Sequence, residues 1–365
     1  MVRMGVIGYG YWGPNLVRNF AEGPGTQVLG VSDFRQDRLD LAERRYPGIK
    51  TTRDPQDLIS DPEIDAIAIS TPVSTHFELA LQALEAGKHV LVEKPMTRTS
   101  EEGARLIEEA YRRRLVLMVD HTFVYTGAVR KIRELMDTGA LGEIYYYDST
   151  RVNLGLFQQD VDVIWDLAVH DLSIMEYILP GRPKEVSATG TGHVNGAAEN
   201  IAYVTVFYEN ALIAHLNVNW LSPIKIRRTL IGGSKKMILY YDIETSEKVK
   251  VYDKGVVVKN GPESLYKLLV AYRSGDMYAP QLDISEALRV EAKHFADCVV
   301  NGKVPITDGH AGLRVVRILE AATTSMKERG RTVRLQHAPE SCLTADVCAR
   351  PAACTAAATC AAFAD

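Results

Sequence analysis

The stretch VRMGVIGYGYWG, residues 2–13, determines the fold class. It begins as a short apolar run of strand type and ends in the pattern G-x-G-x-x-G, formed by Gly8, Gly10 and Gly13, directly before a helical stretch. In such a turn the first glycine allows the tight bend, the second lets the backbone approach a pyrophosphate, and the third lets the helix pack on the strand. Free N–H groups at the start of that helix favour the phosphates. The stretch therefore predicts a dinucleotide-binding domain.

An acidic residue after the second strand favours one cofactor. Asp33 lies twenty residues beyond Gly13, where a carboxylate accepts the hydroxyls of the adenosine ribose and repels a 2′-phosphate. NAD is therefore favoured over NADP. Arg35 and Arg38 either weaken that preference or lie on a helix surface. The Trp12 ring, inside the loop, packs either over the cofactor or against the sheet.

The order of the predicted elements indicates an α/β protein of two domains. Strand-like runs alternate with helical stretches up to His121, as in parallel sheets covered by helices on both faces. We therefore predict a doubly wound Rossmann domain over residues 1–122. From Glu143 several strand candidates follow with only one helix between them, at 164–178, which is typical of antiparallel pairing. This predicts an α+β domain with a largely antiparallel open sheet over residues 123–335, which binds substrate and mediates oligomerisation.

Composition excludes several classes of function. The 365 residues are 46% hydrophobic and carry a net charge of −4, so the chain lacks the basic surplus that nucleic acid binding requires. No apolar run approaches the roughly 20 residues that cross a bilayer, and no secretory signal precedes the first strand, so we expect a cytoplasmic protein without a membrane partner. Residues 336–365 form an Ala/Cys-rich tail that we predict to be disordered, with no metal site. Its cysteines, six apart, are Cys342, Cys348, Cys354 and Cys360.

Three residues are candidates for the chemistry of hydride transfer. Oxidising a hydroxyl requires one group that takes its proton and others that orient and polarise the oxygen. Lys94 follows a predicted strand, at the edge of a parallel sheet where ligands bind. Asp166 and His170 are four residues apart in a helical stretch, and so share a face. The structural alternatives are a loop charge for Lys94 and a core histidine for His170.

These motifs resemble the Gfo/Idh/MocA oxidoreductases. The resemblance rests on the glycine loop, STPVSTH after the fourth strand, EKP and the D-x-x-x-H of the second domain, and it runs from Val2 to about Val333. It implies that Lys94 and His170 are the catalytic pair, with Asp166 beside them. The cofactor contacts, including those that the resemblance adds, are then Gly8, Gly10, Tyr11, Trp12, Gly13, Asp33, Arg35, Ser70, Thr71, Pro72, His76, Glu93 and Lys94.

Residues 119–175 resemble the branch of this family that acts on nucleotide-linked sugars. The resemblance implies NAD-dependent oxidation of the 3-hydroxyl of UDP-N-acetylglucosamine to a 3-keto sugar, which feeds 3-amino sugar synthesis. It also implies a dimer or tetramer that buries the open sheet face. Alternatives within the family are an inositol or free-sugar dehydrogenase and a sugar 3-ketoreductase. A non-catalytic NAD-binding sensor is a further alternative, against which the proton-accepting residues argue.

The roles within the site follow as hypotheses. His170 accepts the hydroxyl proton, Lys94 polarises the developing alkoxide and Asp166 fixes the imidazole or binds an adjacent hydroxyl; which of His170 and Lys94 is the final acceptor stays open. Further substrate contacts are predicted at Tyr125, Arg151 and Asn153. Their structural alternatives are interface packing for Tyr125, a salt bridge for Arg151 and a turn cap for Asn153. The predicted substrate-binding set is Lys94, Tyr125, Arg151, Asn153, Asp166 and His170.

Overall fold

The computed structural model describes residues 1–155, 161–194, 198–258 and 270–336, and these ranges contain two β-sheets. All but the first residue of the predicted disordered tail, and with it the four tail cysteines, lie outside the described residues. Among the helices in these ranges, none has the length and apolar character needed to cross a membrane.

The first sheet is parallel, as predicted, and it contains six strands. They are β1 (Val2–Ile7), β2 (Thr26–Ser32), β3 (Lys50–Thr52), β4 (Ala66–Ile69), β5 (His89–Glu93) and β6 (Leu117–Asp120). Their spatial order is β3-β2-β1-β4-β5-β6, and every neighbouring pair is parallel. The chain order reverses between β1 and β4, so a crevice forms at the carboxyl ends of these strands. All four residues of β4, AIAI, are buried, as expected for a strand covered on both faces.

The helices of this half lie between the strands in chain order. They are α1 (Gly13–Glu22), α2 (Gln36–Arg45), α3 (Gln56–Ile59), α4 (His76–Glu85) and α5 (Ser100–Arg113). A capping box fixes the start of α5: the Thr99 hydroxyl accepts from the Glu102 N–H, and the Glu102 carboxylate accepts from the Thr99 N–H. The sequence pattern did not indicate β3 and α3, because segments of three and four residues are too short to show a period.

Nine strands form the second sheet, which is largely antiparallel as predicted. They are β7 (Ile144–Leu154), β8 (Pro183–Thr191), β9 (Ile201–Tyr208), β10 (Ile213–Asn219), β11 (Leu221–Gly233), β12 (Met237–Tyr241), β13 (Val249–Val258), β14 (Val270–Tyr278) and β15 (Val333–Arg334). Their order is β14-β13-β12-β11-β7-β10-β9-β8-β15. One pair departs from the expectation: β7 and β10 are parallel, because the chain leaves β7 through a helix and returns to the sheet centre only after β8 and β9.

The remaining helices pack on both sheets. They are α6 (Gly127–Asp137), a π-helical turn (Ile164–Ala168) that continues into α7 (Val169–Ile178), α8 (Ala287–Asn301) and α9 (Gly309–Lys327). Although α8 follows the second sheet in the chain, it packs on the first half, where the Phe295 ring meets Phe20 edge to face at 6.1 Å. Helices α7 and α9 cover one face of the second sheet.

The apolar alternation of β10 faces these helices. Ala214, Leu216 and Val218 are fully buried in the core beneath α7 and α9, so they are not residues that a partner subunit would bury. The opposite face of the sheet carries partly exposed side chains such as Tyr203 and Ile213.

Candidate active site

A cavity of about 1170 Å³ runs along the carboxyl ends of the first sheet to the start of α7. One end is lined by the glycine loop and Asp33, and the other by Lys94, Asp166 and His170. Ser70, Thr71, Pro72 and Glu93 line the wall between them. The two halves of the chain therefore meet at one elongated cavity.

The glycine loop has the geometry of a phosphate cradle. Gly8 has φ +97°, and a Cβ there would lie 2.6 Å from the Ser70 carbonyl oxygen. A Cβ on Gly13 would lie only 2.1 Å from the Gly8 carbonyl oxygen, so the close approach of α1 to β1 requires glycine. At Gly10 a Cβ would meet no protein atom within 4 Å, so the space beside it is open on the cavity side. These are the three tasks expected of a dinucleotide loop.

Two backbone N–H groups hold the Asp33 carboxylate in place. Its Oδ2 accepts from the Tyr9 N–H at 2.7 Å and its Oδ1 accepts from the Arg35 N–H at 2.9 Å. A carboxylate oxygen has a second lone pair, so both remain able to accept ribose hydroxyls. The Arg35 guanidinium pairs with Asp37 at 2.6 Å instead of reaching Asp33. The residues present therefore fit NAD.

The loop residues Tyr11 and Trp12 both line this cavity but differ in their packing. Tyr11 is 89% exposed. The Trp12 indole N–H donates to Asp120 Oδ2 at 2.8 Å and its ring packs against the core of the first sheet, so Trp12 connects the loop to the end of β6.

Lys94 and Asp166 approach each other across the cavity from different halves of the chain. Lys94 Nζ lies 3.6 Å from Asp166 Oδ1 and donates to the Asp166 carbonyl oxygen at 3.2 Å. The indole N–H of the buried Trp220 donates to Asp166 Oδ2 at 3.0 Å. Asp166 belongs to the π-helical turn, a local form that often occurs at functional sites.

His170 opens the first turn of α7 and faces the same space. Its ring meets Phe123 edge to face at 4.9 Å. Burial lowers the pKa of His170 well below its usual range, and the positive charges of Lys94 and Arg151 lower it further. The imidazole is therefore neutral at physiological pH and can accept a proton.

The structure places two predicted substrate contacts away from the cavity. Arg151 is 2% exposed and forms a bidentate ion pair with Asp171, through Nε at 2.6 Å and a terminal nitrogen at 3.2 Å. Tyr125 is also 2% exposed, and its hydroxyl lies 3.0 Å from Thr307 Oγ1. Both residues thus occupy their structural alternatives, a salt bridge and interface packing. Asn153 is not among the described residues that line the cavity. It precedes residues 156–160, which lie outside the described ranges, so its substrate contact stays a prediction.

His76 has a bracing role where a cofactor contact was predicted. It begins α4, and its ring is 1% exposed. Nδ1 lies 2.9 Å from the Pro95 carbonyl oxygen and Nε2 lies 2.8 Å from the Thr71 carbonyl oxygen. The imidazole therefore joins the loops after β4 and β5 from behind the cavity wall.

Two features of the site were not found from the sequence. Arg227 on β11 lines the catalytic end of the cavity, with a terminal nitrogen 3.3 Å from Asp242 Oδ2, and no motif surrounds it. Glu93, which lines the cavity wall, and Glu291, which is buried, both lie beside Asp120, and desolvation followed by the charge of Asp120 raises the pKa of both glutamates well above the usual range. Since Glu291 is remote in sequence, only the packing of α8 on the first half brings it here.

Two family models match the chain. An oxidoreductase family with an NAD-binding Rossmann fold, designated GFO_IDH_MocA, matches residues 2–121, and its C-terminal α/β domain matches residues 133–335. Together they span both sheets.

Relatives of known activity act on polyols and sugars. A myo-inositol 2-dehydrogenase of Thermotoga maritima is 27% identical over 92% of this chain and 99% of its own length. A UDP-N-acetylglucosamine 3-dehydrogenase of Acidithiobacillus ferrooxidans is 28% identical over 86% of this chain and 94% of its own. A solved structure of the latter enzyme, 26% identical, superposes with a TM-score of 0.74 and covers 89% of this chain and 98% of its own.

Proposed function

The chain belongs to the Gfo/Idh/MocA family of NAD-binding oxidoreductases, and from that premise we propose that it oxidises the 3-hydroxyl of UDP-N-acetylglucosamine to the 3-keto sugar. The observation that carries the proposal is the meeting of Lys94, Asp166 and His170 at the end of the cavity opposite Asp33. A hydroxyl placed among these three side chains has both a proton acceptor and a cation within reach. Asp33 and the glycine loop would hold NAD, which would supply the hydride acceptor.

His170 is the proton acceptor in this proposal. Its imidazole is neutral because burial and nearby cations lower its pKa, so one of its ring nitrogens has a free lone pair. As the O–H bond breaks, the proton passes to that nitrogen. The edge-to-face contact with Phe123 and the anchoring of α7 in the core hold the ring in place before substrate arrives.

Lys94 stabilises the negative charge that develops on the substrate oxygen. Its ammonium is held by the Asp166 carboxylate and carbonyl, so it is oriented before the reaction and needs little reorganisation during it. Asp166 is held in turn by the Trp220 indole, and its oxygens are available to a neighbouring sugar hydroxyl. These contacts support Lys94 as the polarising cation and Asp166 as its positioning partner.

Arg227 supports an anionic substrate. It is a cation at the catalytic end of the cavity, and Asp242 engages one of its terminal nitrogens. A diphosphate or another acidic group on a sugar matches the remaining donors of a guanidinium. An inositol dehydrogenase is the second candidate, because the inositol-specific relative is as similar as the nucleotide-sugar enzyme.

A substrate panel tests the proposal. Purified protein is incubated with NAD and, separately, UDP-N-acetylglucosamine, myo-inositol or glucose, while the absorbance of NADH is followed. We expect NADH from the nucleotide sugar, and a His170→Ala variant should lower kcat by roughly 10²-fold or more. NADH from inositol alone would replace the substrate assignment, and NAD binding without any turnover would favour a sensor. The matched control is His310→Asn, since His310 lines neither this cavity nor a second one described below.

We also propose that the open face of the second sheet joins subunits into a dimer or tetramer. On that face the large apolar side chains of Tyr203 and Ile213 are 46% and 41% exposed, so a partner subunit could bury them. Light scattering should give a mass that is a multiple of the 40.4 kDa chain, and a mass of one chain would contradict the assembly. Because the reaction needs a supply of NAD, we place the enzyme in the cytoplasm.

A further inference from the structure

A second cavity of about 390 Å³ lies behind α7, the helix that carries His170. At its outer side it is lined by charged side chains that reach solvent: Arg133, Asp137 and Arg314 are 40%, 58% and 48% exposed. At its inner side it is lined by buried residues, among them Thr307 and His121. The cavity therefore leads from a charged surface to the interior next to the active site.

His121 closes the inner end of this cavity. The residue follows β6 directly and is 2% exposed, yet neither ring nitrogen has a hydrogen-bond partner within the described part of the chain. Buried polar groups are almost always hydrogen-bonded, and a cavity of this size holds several water molecules. The geometry thus indicates that the imidazole bonds to water inside the cavity.

The second cavity and the active site share helix α7. His170 faces the active-site cavity, while Ser173 and Tyr177, three and seven residues further on, line the second one. Such a spacing forms one continuous stripe along a helix. Ser173 also donates to the His170 carbonyl oxygen at 2.8 Å. His121 lies two residues before Phe123, whose ring meets His170 edge to face at 4.9 Å, and a positive charge on His121 lowers the pKa of His170.

We propose that His121 and the second cavity form a proton path between His170 and bulk water, an inference that rests on the proposed oxidation. The reaction yields one proton per turnover: the substrate C–H electron pair leaves as hydride to NAD, the O–H electron pair becomes the carbonyl π bond, and the proton passes to His170. With cofactor and substrate bound in the main cavity, His170 would be closed to bulk water on that side. One ring nitrogen of His121 accepts the proton, directly or through a water, and the other passes it to water in the second cavity, which leaves both imidazoles neutral.

The electrostatics of the two rings suit such a transfer. Burial lowers the pKa of His121 to about 4, and that of His170 is lowered in the same direction by burial and by Lys94. Each imidazolium therefore releases its proton readily once an acceptor is within reach. Asp120, directly before His121, raises the pKa of His121 in part and so supports the transient imidazolium.

The experiment measures hydride and proton separately in a single turnover of the complete protein. NADH absorbance reports hydride transfer, and a pH indicator in weakly buffered solution reports the released proton. The first variant is His121→Asn, since asparagine fits the local backbone, hydrogen-bonds to water and cannot carry a proton. The second is Ala311→Leu, which places a larger side chain from α9 in the second cavity and leaves both His121 and His170 in the protein. His310→Asn on the same helix is the control.

In the wild type and the control we expect the proton to appear together with NADH. In His121→Asn we expect NADH at the wild-type rate but proton release delayed on the order of 10²-fold. Added imidazole should restore prompt release in His121→Asn and should fail to do so in Ala311→Leu. Prompt release in His121→Asn without imidazole would overturn the proton path while leaving the oxidation intact. Failure of the wild type to form NADH from any substrate of the panel would instead overturn the proposed function itself, and the proton path with it.

Discussion

Replacing Asp171 by Asn tests whether Arg151 stabilises the catalytic helix or binds substrate. The side chains of Arg151 and Asp171 are 3% and 4% exposed, and two hydrogen bonds join them. With an effective dielectric of about 20 and charge centres about 4 Å apart, their attraction is about 4 kcal/mol. The amide removes that attraction and leaves a buried, unpaired guanidinium, so we expect a loss of about 3–5 kcal/mol in the free energy of unfolding.

Urea unfolding followed by tryptophan fluorescence gives this loss from the midpoint and slope. The double variant Arg151→Met/Asp171→Leu removes both charges, so it should recover most of the stability that Asp171→Asn loses. Its KM should stay close to that of the wild type, because Arg151 does not line the cavity. A loss below about 1 kcal/mol in Asp171→Asn, or a double variant no more stable than the single one, would refute the ion-pair reasoning. A large rise in KM would return Arg151 to the substrate site.

Four further substitutions probe the cofactor loop, the buried acids and the substrate end. Gly13→Ala should lower both the melting temperature and the affinity for NAD, because the added Cβ collides with Gly8. Gly10→Ala should weaken NAD binding by about tenfold or more and leave the melting temperature unchanged, because its Cβ meets only open space. Calorimetry with and without NAD distinguishes the two effects. Glu291→Gln should raise the urea midpoint, and more at pH 8 than at pH 5. The pKa of Glu291 is higher in the folded protein than in the unfolded chain, so its carboxyl contributes less to stability as the pH rises from the unfolded pKa toward the folded pKa. An equal effect of the substitution at both pH values would contradict a raised pKa for Glu291. Arg227→Met should raise the KM for UDP-N-acetylglucosamine about 10–100-fold and leave NAD affinity unchanged, as steady-state kinetics would reveal; an unaltered KM would remove Arg227 from the substrate site.

The cofactor half was predictable because its signals are local. The glycine loop, the strand before it and the helix after it are contiguous, and Asp33 follows at the spacing that one βαβ unit imposes. The second sheet was predictable only as a set of strands. Its parallel pairing of β7 with β10 depends on contacts between residues about 67 apart, such as Tyr146 with Ile213, and no local pattern encodes such pairing.

Site residues were predictable where an element end alone decides their position. Lys94 follows a parallel strand, so its side chain reaches the ligand edge whatever the details of packing. Arg151 is near the end of β7 as well, but which face of the strand it occupies depends on the register with β10 and β11. That register turns it toward Asp171 beneath the sheet, and the sequence contained the two residues without a sign that they pair.

The π-helical turn before α7 explains why Asp166 and His170 can act on one substrate from different directions. The Val169 N–H donates to the Ile164 carbonyl oxygen, five residues back, so this turn is wider than an α-helical one. Asp166 lies in the wide turn, where it reaches Trp220 and Lys94, while His170 lies in the regular helix that Asp171 ties to Arg151. The spacing of four residues predicted that both side chains share a face. The anchoring of each to a different neighbour is what fixes the distance between the polarising cation and the proton acceptor, and this anchoring depends on tertiary contacts that the spacing cannot specify.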